Sequence, residues 1–177
     1  MKESLSNNIP ITAIGERGSF HPIGKMKAHI DGTLHLAISI FLINEKREIL
    51  LQKRSLNKYH SGGLWANTCC SHPLFGESLE VCAHRRLEEE LGIKTELKPI
   101  NEIDYKCNVG DLIEYERVTW FKGFLHSNKK INFNKDEVMD LRWVSLKDLE
   151  VQALETPELF ANWLHEYLKL GLVRILS

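Results

Sequence analysis

Glu77-Ser78-Leu79-Glu80-Val81-Cys82-Ala83-His84-Arg85-Arg86-Leu87-Glu88-Glu89-Glu90-Leu91-Gly92-Ile93 reads as an amphipathic helix with both ends marked. Ser78 is a good N-cap residue, Glu80 suits the first turn, and Gly92 stands where a left-handed residue ends a helix. Leu79, Ala83, Leu87 and Leu91 recur at four-residue spacing and define the buried stripe. At about 100° per residue, Arg86 and Glu90 fall between Cys82 and Ala83 on that stripe, while Glu88 points away. Charge on a buried face is costly unless it is paired or holds an ion. Two readings meet that condition: an i,i+4 salt bridge between Arg86 and Glu90, and a metal-binding carboxylate beside a phosphate-binding guanidinium.

On either side of this helix the chain alternates strands with turns. Leu34–Ile43 is a β-rich apolar run, residues 44–48 are a polar turn and Ile49–Lys53 is a second strand, together predicting a hairpin. Residues 54–66 form a loop around Gly62-Gly63. Strands are expected at about 100–107, 113–125 and Asp140–Val144. Ser145 opens a short helix, and Thr156-Pro157 a longer one ending near Gly171, with Pro157 at its first position. Residues 1–32, punctuated by Gly and Pro, read as short irregular pieces, with 1–22 a less ordered segment. The fold class is α/β of the α+β type, a mixed β-sheet flanked by helices, in a single domain over residues 1–177.

Composition narrows the function. The 177 residues are 43% hydrophobic and 27% charged, so a core can form without a disulfide or a structural metal. Lys plus Arg total 23 against 24 acidic residues, a balance that excludes a general nucleic-acid binder. No apolar run reaches the roughly 18 residues of a membrane span, and Met1 to Pro10 lacks the apolar stretch of a secretory signal. A cytoplasmic protein with no membrane partner is expected, a monomer by default. Cys69, Cys70, Cys82 and Cys107 form neither a C-x-x-C pair nor a disulfide framework.

Read backwards from Gly92-Ile93, the sequence Glu89-Glu90, Arg85-Arg86-Leu87, Glu77 and Ser71 resembles the Nudix box, with Ser71 in place of its Gly and Arg86 in place of a Glu. The resemblance implies a Nudix fold. Loss of one carboxylate weakens the hydrolase reading and leaves diphosphate binding. The preceding stretch, Trp65-Ala66-Asn67-Thr68-Cys69-Cys70-Ser71-His72-Pro73, resembles the active-site cysteine motif of type 1 isopentenyl-diphosphate isomerases, a Nudix-fold family. Leu34-His35-Leu36-Ala37, Arg54-Ser55-Leu56-Asn57-Lys58, Gly76-Glu77-Ser78, Glu114-Tyr115-Glu116 and Asp136-Glu137-Val138-Met139-Asp140 follow the same family's order, so the likeness spans roughly residues 23–165.

That resemblance implies an isomerase that moves a double bond, converting isopentenyl diphosphate to dimethylallyl diphosphate in isoprenoid biosynthesis. Cys70 and Glu116 match the catalytic pair, and Tyr105 the tyrosine beside the glutamate. Two acid/base groups on opposite faces of a flat substrate suit such chemistry. His29, His35, His72, Glu114 and Glu116 match a site for a divalent ion (Zn2+, Mn2+ or Mg2+), a donor set compatible with all three. Glu114 and Glu116, two apart on a strand, share a face that Val118 and Trp120 continue. Lys25, Arg54, Lys58 and Arg86 match diphosphate-binding positions, Glu90 the carboxylate for a diphosphate-bound Mg2+, and Trp163 an aromatic lid over the alkene. Cys69 is read as packing, and His21, His60, His84, His126 and His165 as solvated or hydrogen-bonded side chains. Two other readings compete: a Nudix diphosphate hydrolase, in which Cys70 and Glu116 have no role, and a non-enzymatic protein with structural zinc held by Cys69, Cys70 and histidines.

Overall fold

The computed structural model describes residues 9–177; the first eight residues of the segment expected to be less ordered lie outside the described residues. In chain order the elements are β1 (Pro10–Ile14), β2 (Phe20–Gly24), α1 (Lys25–Asp31), β3 (His35–Ile43), β4 (Glu48–Arg54), β5 (Trp65–Ala66) and β6 (Cys69–Ser71). They continue with α2 (Leu79–Leu91), β7 (Leu97–Val109), β8 (Leu112–Phe124), β9 (Val138–Ser145), α3 (Leu146–Glu155), α4 (Asn162–Lys169) and α5 (Leu172–Leu176).

β3 is the organising strand. It pairs in parallel with β8 over nine residues, from His35 opposite Glu116 to Ile43 opposite Phe124. On its other edge it pairs antiparallel with β6, Ser39 opposite Cys70, and touches β1 and β4. Alternate side chains enter different cores. Ala37, Phe41 and Ile43 join Val118, Trp120, Leu149, Trp163, Leu164 and Tyr167 on the face covered by the C-terminal helices. Ile38, Ile40 and Leu42 join Cys82, Leu87, Leu91, Phe121 and Val138 beneath α2. The same alternation separates the adjacent cysteines: Cys69 packs under α2, and Cys70 borders the opposite core.

α2 forms as its sequence dictates. The Ser78 hydroxyl accepts from Val81 N, and Gly92, at φ 64°, adopts the left-handed conformation and returns its N–H to Glu88 O. The expected hairpin forms but opens early, and two other expectations are corrected. The hairpin between β3 and β4 is joined at a single pair, Ile43 opposite Ile49, after which β4 runs with β9. A strand buried on both faces needs covered neighbours, and β8 supplies one that a local hairpin cannot. The long C-terminal helix is broken: Pro157–Leu159 is one 3-10 turn, and Phe160 is extended. There Ala161 N donates to Trp65 O at 2.9 Å and the Phe160 ring is buried, so tertiary packing overrides helix continuation. The irregular pieces before residue 32 are ordered from Pro10 onward, β1 and β2 pairing from Pro10–Gly24 to Ile14–Phe20, with α1 following.

Gly123 lies where β8 is squeezed between β3 and β7. A Cβ there would stand 2.8 Å from Leu42 Cδ2, 2.9 Å from Leu97 Cδ2 and 3.0 Å from Glu96 O. Gly123→Ala should therefore destabilise the fold by about 1–3 kcal/mol through overpacking, read as a lower urea midpoint with an unchanged slope.

Candidate active site

The strand registers align the site. Tyr105 on β7 lies opposite Glu116 on β8, which lies opposite His35 on β3. Two pleats along β3, Ser39 lies opposite Cys70 on β6. All of these point to the face beneath α4, whose Trp163 and Tyr167 close the roof.

At one end, His29, His35, His72 and Glu116 bring ligand atoms within 4.8 Å of one another. His29 Nδ1 contacts Lys25 O at 2.8 Å, and His35 Nδ1 contacts Thr33 O at 2.7 Å. A carbonyl only accepts, so both rings carry the proton on Nδ1 and leave the Nε2 lone pair facing the cluster. Both Nε2 atoms are buried with no hydrogen-bond partner among the described residues. Orphaned, inward-facing imidazole nitrogens beside a carboxylate fit a divalent cation, with the backbone carbonyls fixing the tautomer. Burial lowers the His29 pKa to about 4 and that of His72 to about 3, which keeps both neutral, as metal ligands must be. Neither Cys69 nor Cys70 belongs to this cluster, so the structural-zinc arrangement through paired cysteines does not form among the described residues.

Glu116 faces two ways. Its Oε1 lies 2.8 Å from His72 Nε2, while its Oε2 accepts from the Tyr105 hydroxyl at 2.8 Å. Burial favours protonation of Glu116, but His35 and His72 hold its pKa well below the usual carboxylate range. Glu114, expected beside it as a ligand, stands outside the four-residue cluster. Its carboxylate is turned to the Tyr105 hydroxyl at 3.0 Å and to His60 Nε2 at 3.4 Å. Burial, then the Glu116 charge, pushes Glu114 up to about 8. His60, read from sequence as solvated or hydrogen-bonded, is hydrogen-bonded to Ser61 Oγ at 3.2 Å and stands half-buried in this wall, edge-on to Trp163.

The Cys70 thiol, pushed up to about 12 by burial, faces a small cavity of about 50 Å³. Glu116, Tyr105, Trp163 and Tyr167 share that cavity's wall. A larger outer cavity of about 250 Å³ adjoins it, and both are lined by Lys25, Lys58, Tyr59, Ser71, His72 and Arg86. Burial, then repulsion by Lys58, Arg86 and Arg54, lowers the Lys25 pKa to about 7. Glu137 counters these cations, pairing with Lys58 and with Arg86. Arg86 also binds Glu90 at 2.6 Å, so the salt-bridge reading of α2 holds. Glu90 is saturated, Oε1 by Arg86 and Oε2 by Gln52 Nε2 at 3.1 Å, and it lines neither cavity. Arg54 stacks on the Trp163 ring at 5.0 Å.

Sequence reading missed Ser39, His60, Asn67 and Tyr167. Ser39 had one signal: it is the only hydroxyl in the apolar run from Leu36 to Ile43. Tyr167 had none, because its spacing matches plain core.

The mixed sheet thus carries a His/Glu cluster suited to a divalent cation beside a cation-lined cleft. The NUDIX domain family model matches residues 33–167. An isopentenyl-diphosphate Delta-isomerase from Dinoroseobacter shibae is 46% identical over 154 residues, covering 85% of this chain and 86% of that one. Another from Jannaschia sp. is 43% identical, covering 86% of this chain and 87% of that one. Among solved structures, a protein from Deinococcus radiodurans shares the fold at 14% identity, with a TM-score of 0.69 over 83% of this chain and 90% of that one. A MutT protein from Methanosarcina mazei Go1 does so at 22% identity, with a TM-score of 0.56 over 66% of this chain and 80% of that one. The chain belongs to the isopentenyl-diphosphate Delta-isomerase family of NUDIX-domain proteins.

If the orphaned imidazole nitrogens hold a cation, His35→Ala should weaken divalent-metal binding at least about 100-fold. Calorimetric titration without substrate measures this, with the exposed His84→Ala as the unaffected control.

Proposed function

We propose that this chain interconverts isopentenyl diphosphate and dimethylallyl diphosphate, adding a proton at one end of the three-carbon unit and removing one from the other. The observation that carries this reading is the meeting of Cys70 and Glu116 in one small inner chamber that opens onto a cation-lined outer one. An anionic head with a short apolar tail matches that division. Cys70 and Glu116 act on the tail, one giving a proton while the other takes one, and Tyr105 holds the second Glu116 oxygen in place. Protonating an unactivated alkene requires a positioned acid and a dry site, and a buried Glu116 facing a half-buried Cys70 under Trp163 and Tyr167 suits both needs.

Lys25, Arg54, Lys58 and Arg86 bind the diphosphate. Arg54 now lies over the indole of Trp163; a diphosphate offers it a stronger, charge-assisted partner and uncovers the ring. The exposed ring face then stabilises a cationic carbon by about 1–2 kcal/mol. Arg86 exchanges its Glu90 contact for the diphosphate, which frees one Glu90 oxygen for the Mg2+ that the diphosphate brings. His29, His35, His72 and Glu116 would hold a second divalent ion, Zn2+, Mn2+ or Mg2+, and Glu114 would join them by giving up its proton and turning from Tyr105 and His60. When bound, that ion fixes the Glu116 carboxylate and adds positive charge beside it. The whole chain works as one domain, a cytoplasmic monomer, on a small-molecule substrate in isoprenoid biosynthesis.

Incubation with isopentenyl diphosphate and Mg2+ should yield dimethylallyl diphosphate by proton NMR, without phosphate release. Phosphate release would return the hydrolase reading. Cys70→Ala should lower turnover by about 100- to 10,000-fold while diphosphate binding persists. Cys69→Ala, on the other face of the sheet, should stay within about tenfold.

A further inference from the structure

The surroundings of the Cys70 sulfur contain a hydrogen-bond chain whose direction can be read. Asn67, fully buried, donates its amide hydrogens to Ile40 O at 3.1 Å and Cys69 O at 3.2 Å. Its Oδ1 therefore faces the other way, where it receives the Trp163 indole N–H at 3.1 Å and lies 2.9 Å from Cys70 Sγ. A carbonyl oxygen cannot donate, so the thiol hydrogen points to Asn67. The sulfur has only one hydrogen. Its second contact, 3.2 Å from Ser39 Oγ, is then donated by the serine hydroxyl. That in turn commits the Ser39 hydrogen, so the 2.8 Å contact between Ser39 Oγ and Tyr167 is donated by the phenol. The chain runs Tyr167 O–H to Ser39 O–H to Cys70 S–H to Asn67 C=O.

Both ends of this chain are gripped by one helix. Trp163 and Tyr167 are one turn apart on α4, and they reach the thiol through Asn67 and Ser39 respectively. The Tyr167 hydroxyl is not needed for packing. Its ring sits among Phe41, Tyr105 and Trp120, where a phenylalanine would fill the same volume. Among the described residues Ser39 is the hydroxyl's one hydrogen-bond partner.

We propose that Tyr167, acting through Ser39, is a positioning residue for Cys70. The pair fixes the sulfur by aiming an O–H at it, and prevents the thiol hydrogen from turning toward β3. The hydrogen is left two directions, Asn67 or the chamber. Once it is transferred, the electron pair left on sulfur already faces a donor that need not reorient, the preorganisation that favours developing charge. The inference rests on the assignment of Cys70 as the reacting thiol.

Steady-state kinetics on Tyr167→Phe, Ser39→Ala, Ser39→Thr and the double variant Ser39→Ala/Tyr167→Phe, with isopentenyl diphosphate as substrate, test it. Tyr167→Phe should lower kcat about 3- to 10-fold, the worth of one neutral hydrogen bond, with KM within about twofold. Ser39→Ala should lower kcat at least as far, and Ser39→Thr, which keeps the hydroxyl, should recover most of it. In the Ser39→Ala background Tyr167→Phe should have no further effect, because the phenol acts only through the serine. Full additivity, an unchanged kcat in Tyr167→Phe, or a loss appearing mainly in KM would each overturn the proposal. If wild type turns over and Tyr167→Phe is neutral, this inference alone falls. If wild type and Cys70→Ala are both inert toward isopentenyl diphosphate, the isomerase assignment falls and takes it along.

Discussion

The parallel pairing of β3 with β8 is the constraint on which the rest depends. It sets His35 against Glu116, and the β7 register then sets Tyr105 against the same glutamate. Side chains alternate along a strand, so a slip of one residue would send Glu116 to the α2 side and separate it from Cys70. What prevents the slip is apolar. Val118 and Trp120 continue the Glu116 face into the core with Phe41, Leu164 and Tyr167, while Phe121 enters the other core with Ile40 and Leu87. The polar site is therefore held in register mainly by apolar residues outside both cavities, Phe41, Val118, Trp120, Phe121 and Leu164 among them. Removing Glu116, His35 and their neighbours from water is unfavourable, and the hydrophobic contacts of these same strands offset it.

Burial also sorts the protons. It raises the Cys70 thiol to about 12, so the sulfur holds its hydrogen at neutral pH, and together with the Glu116 charge it pushes the Glu114 carboxyl upward. Histidine contacts reverse the outcome for Glu116, which keeps its charge. A neutral acid and a charged base thus face one chamber at the same pH, set apart by their partners rather than by residue type alone. Outside the chamber the sign changes. Burial, and then repulsion from Lys58, Arg86 and Arg54, weakens the hold of Lys25 on its proton. Glu137 offsets part of this charge by pairing with Lys58 and Arg86, and the outer cleft stays lined with cations.

Much of this was legible in the sequence. α2 was fixed by its caps and four-residue stripe, and the cysteine motif pointed to Cys70, Glu116, Tyr105 and Trp163, which do share one cavity. The errors have physical causes. Strand pattern showed that β3 and β4 exist, but pairing with β8 brings together residues about 80 positions apart, and periodicity carries no such information. The C-terminal helix was read as continuous because Phe160 fits an amphipathic pattern; only the β5 backbone nearby explains why it is extended. His60 and Tyr167 looked ordinary because their roles arise from contacts with Glu114 and Ser39, remote in the chain.

The helix carrying the Nudix-like box explains why hydrolysis and isomerisation separate on one scaffold. A hydrolase needs carboxylates free to converge on metal and a water. Here Glu77 is clamped by Arg85 through two bonds of 2.7 Å, and Glu89 faces both Arg85 and Arg86. Glu90 is held by Arg86 and Gln52. The arginine at position 86 thus converts an acidic cluster into a network of ion pairs and leaves its own charge at the edge of the outer cleft. The reactive groups lie instead on the face of the sheet opposite α2, where Cys70 and Glu116 meet in a chamber of about 50 Å³. A chamber that small, roofed by Trp163 and Tyr167, leaves little room for an attacking water beside a substrate tail. Proton transfer needs no such water, and hydrolysis at a diphosphate in the outer cleft is hindered separately, by the pairing of the α2 carboxylates with Arg85 and Arg86.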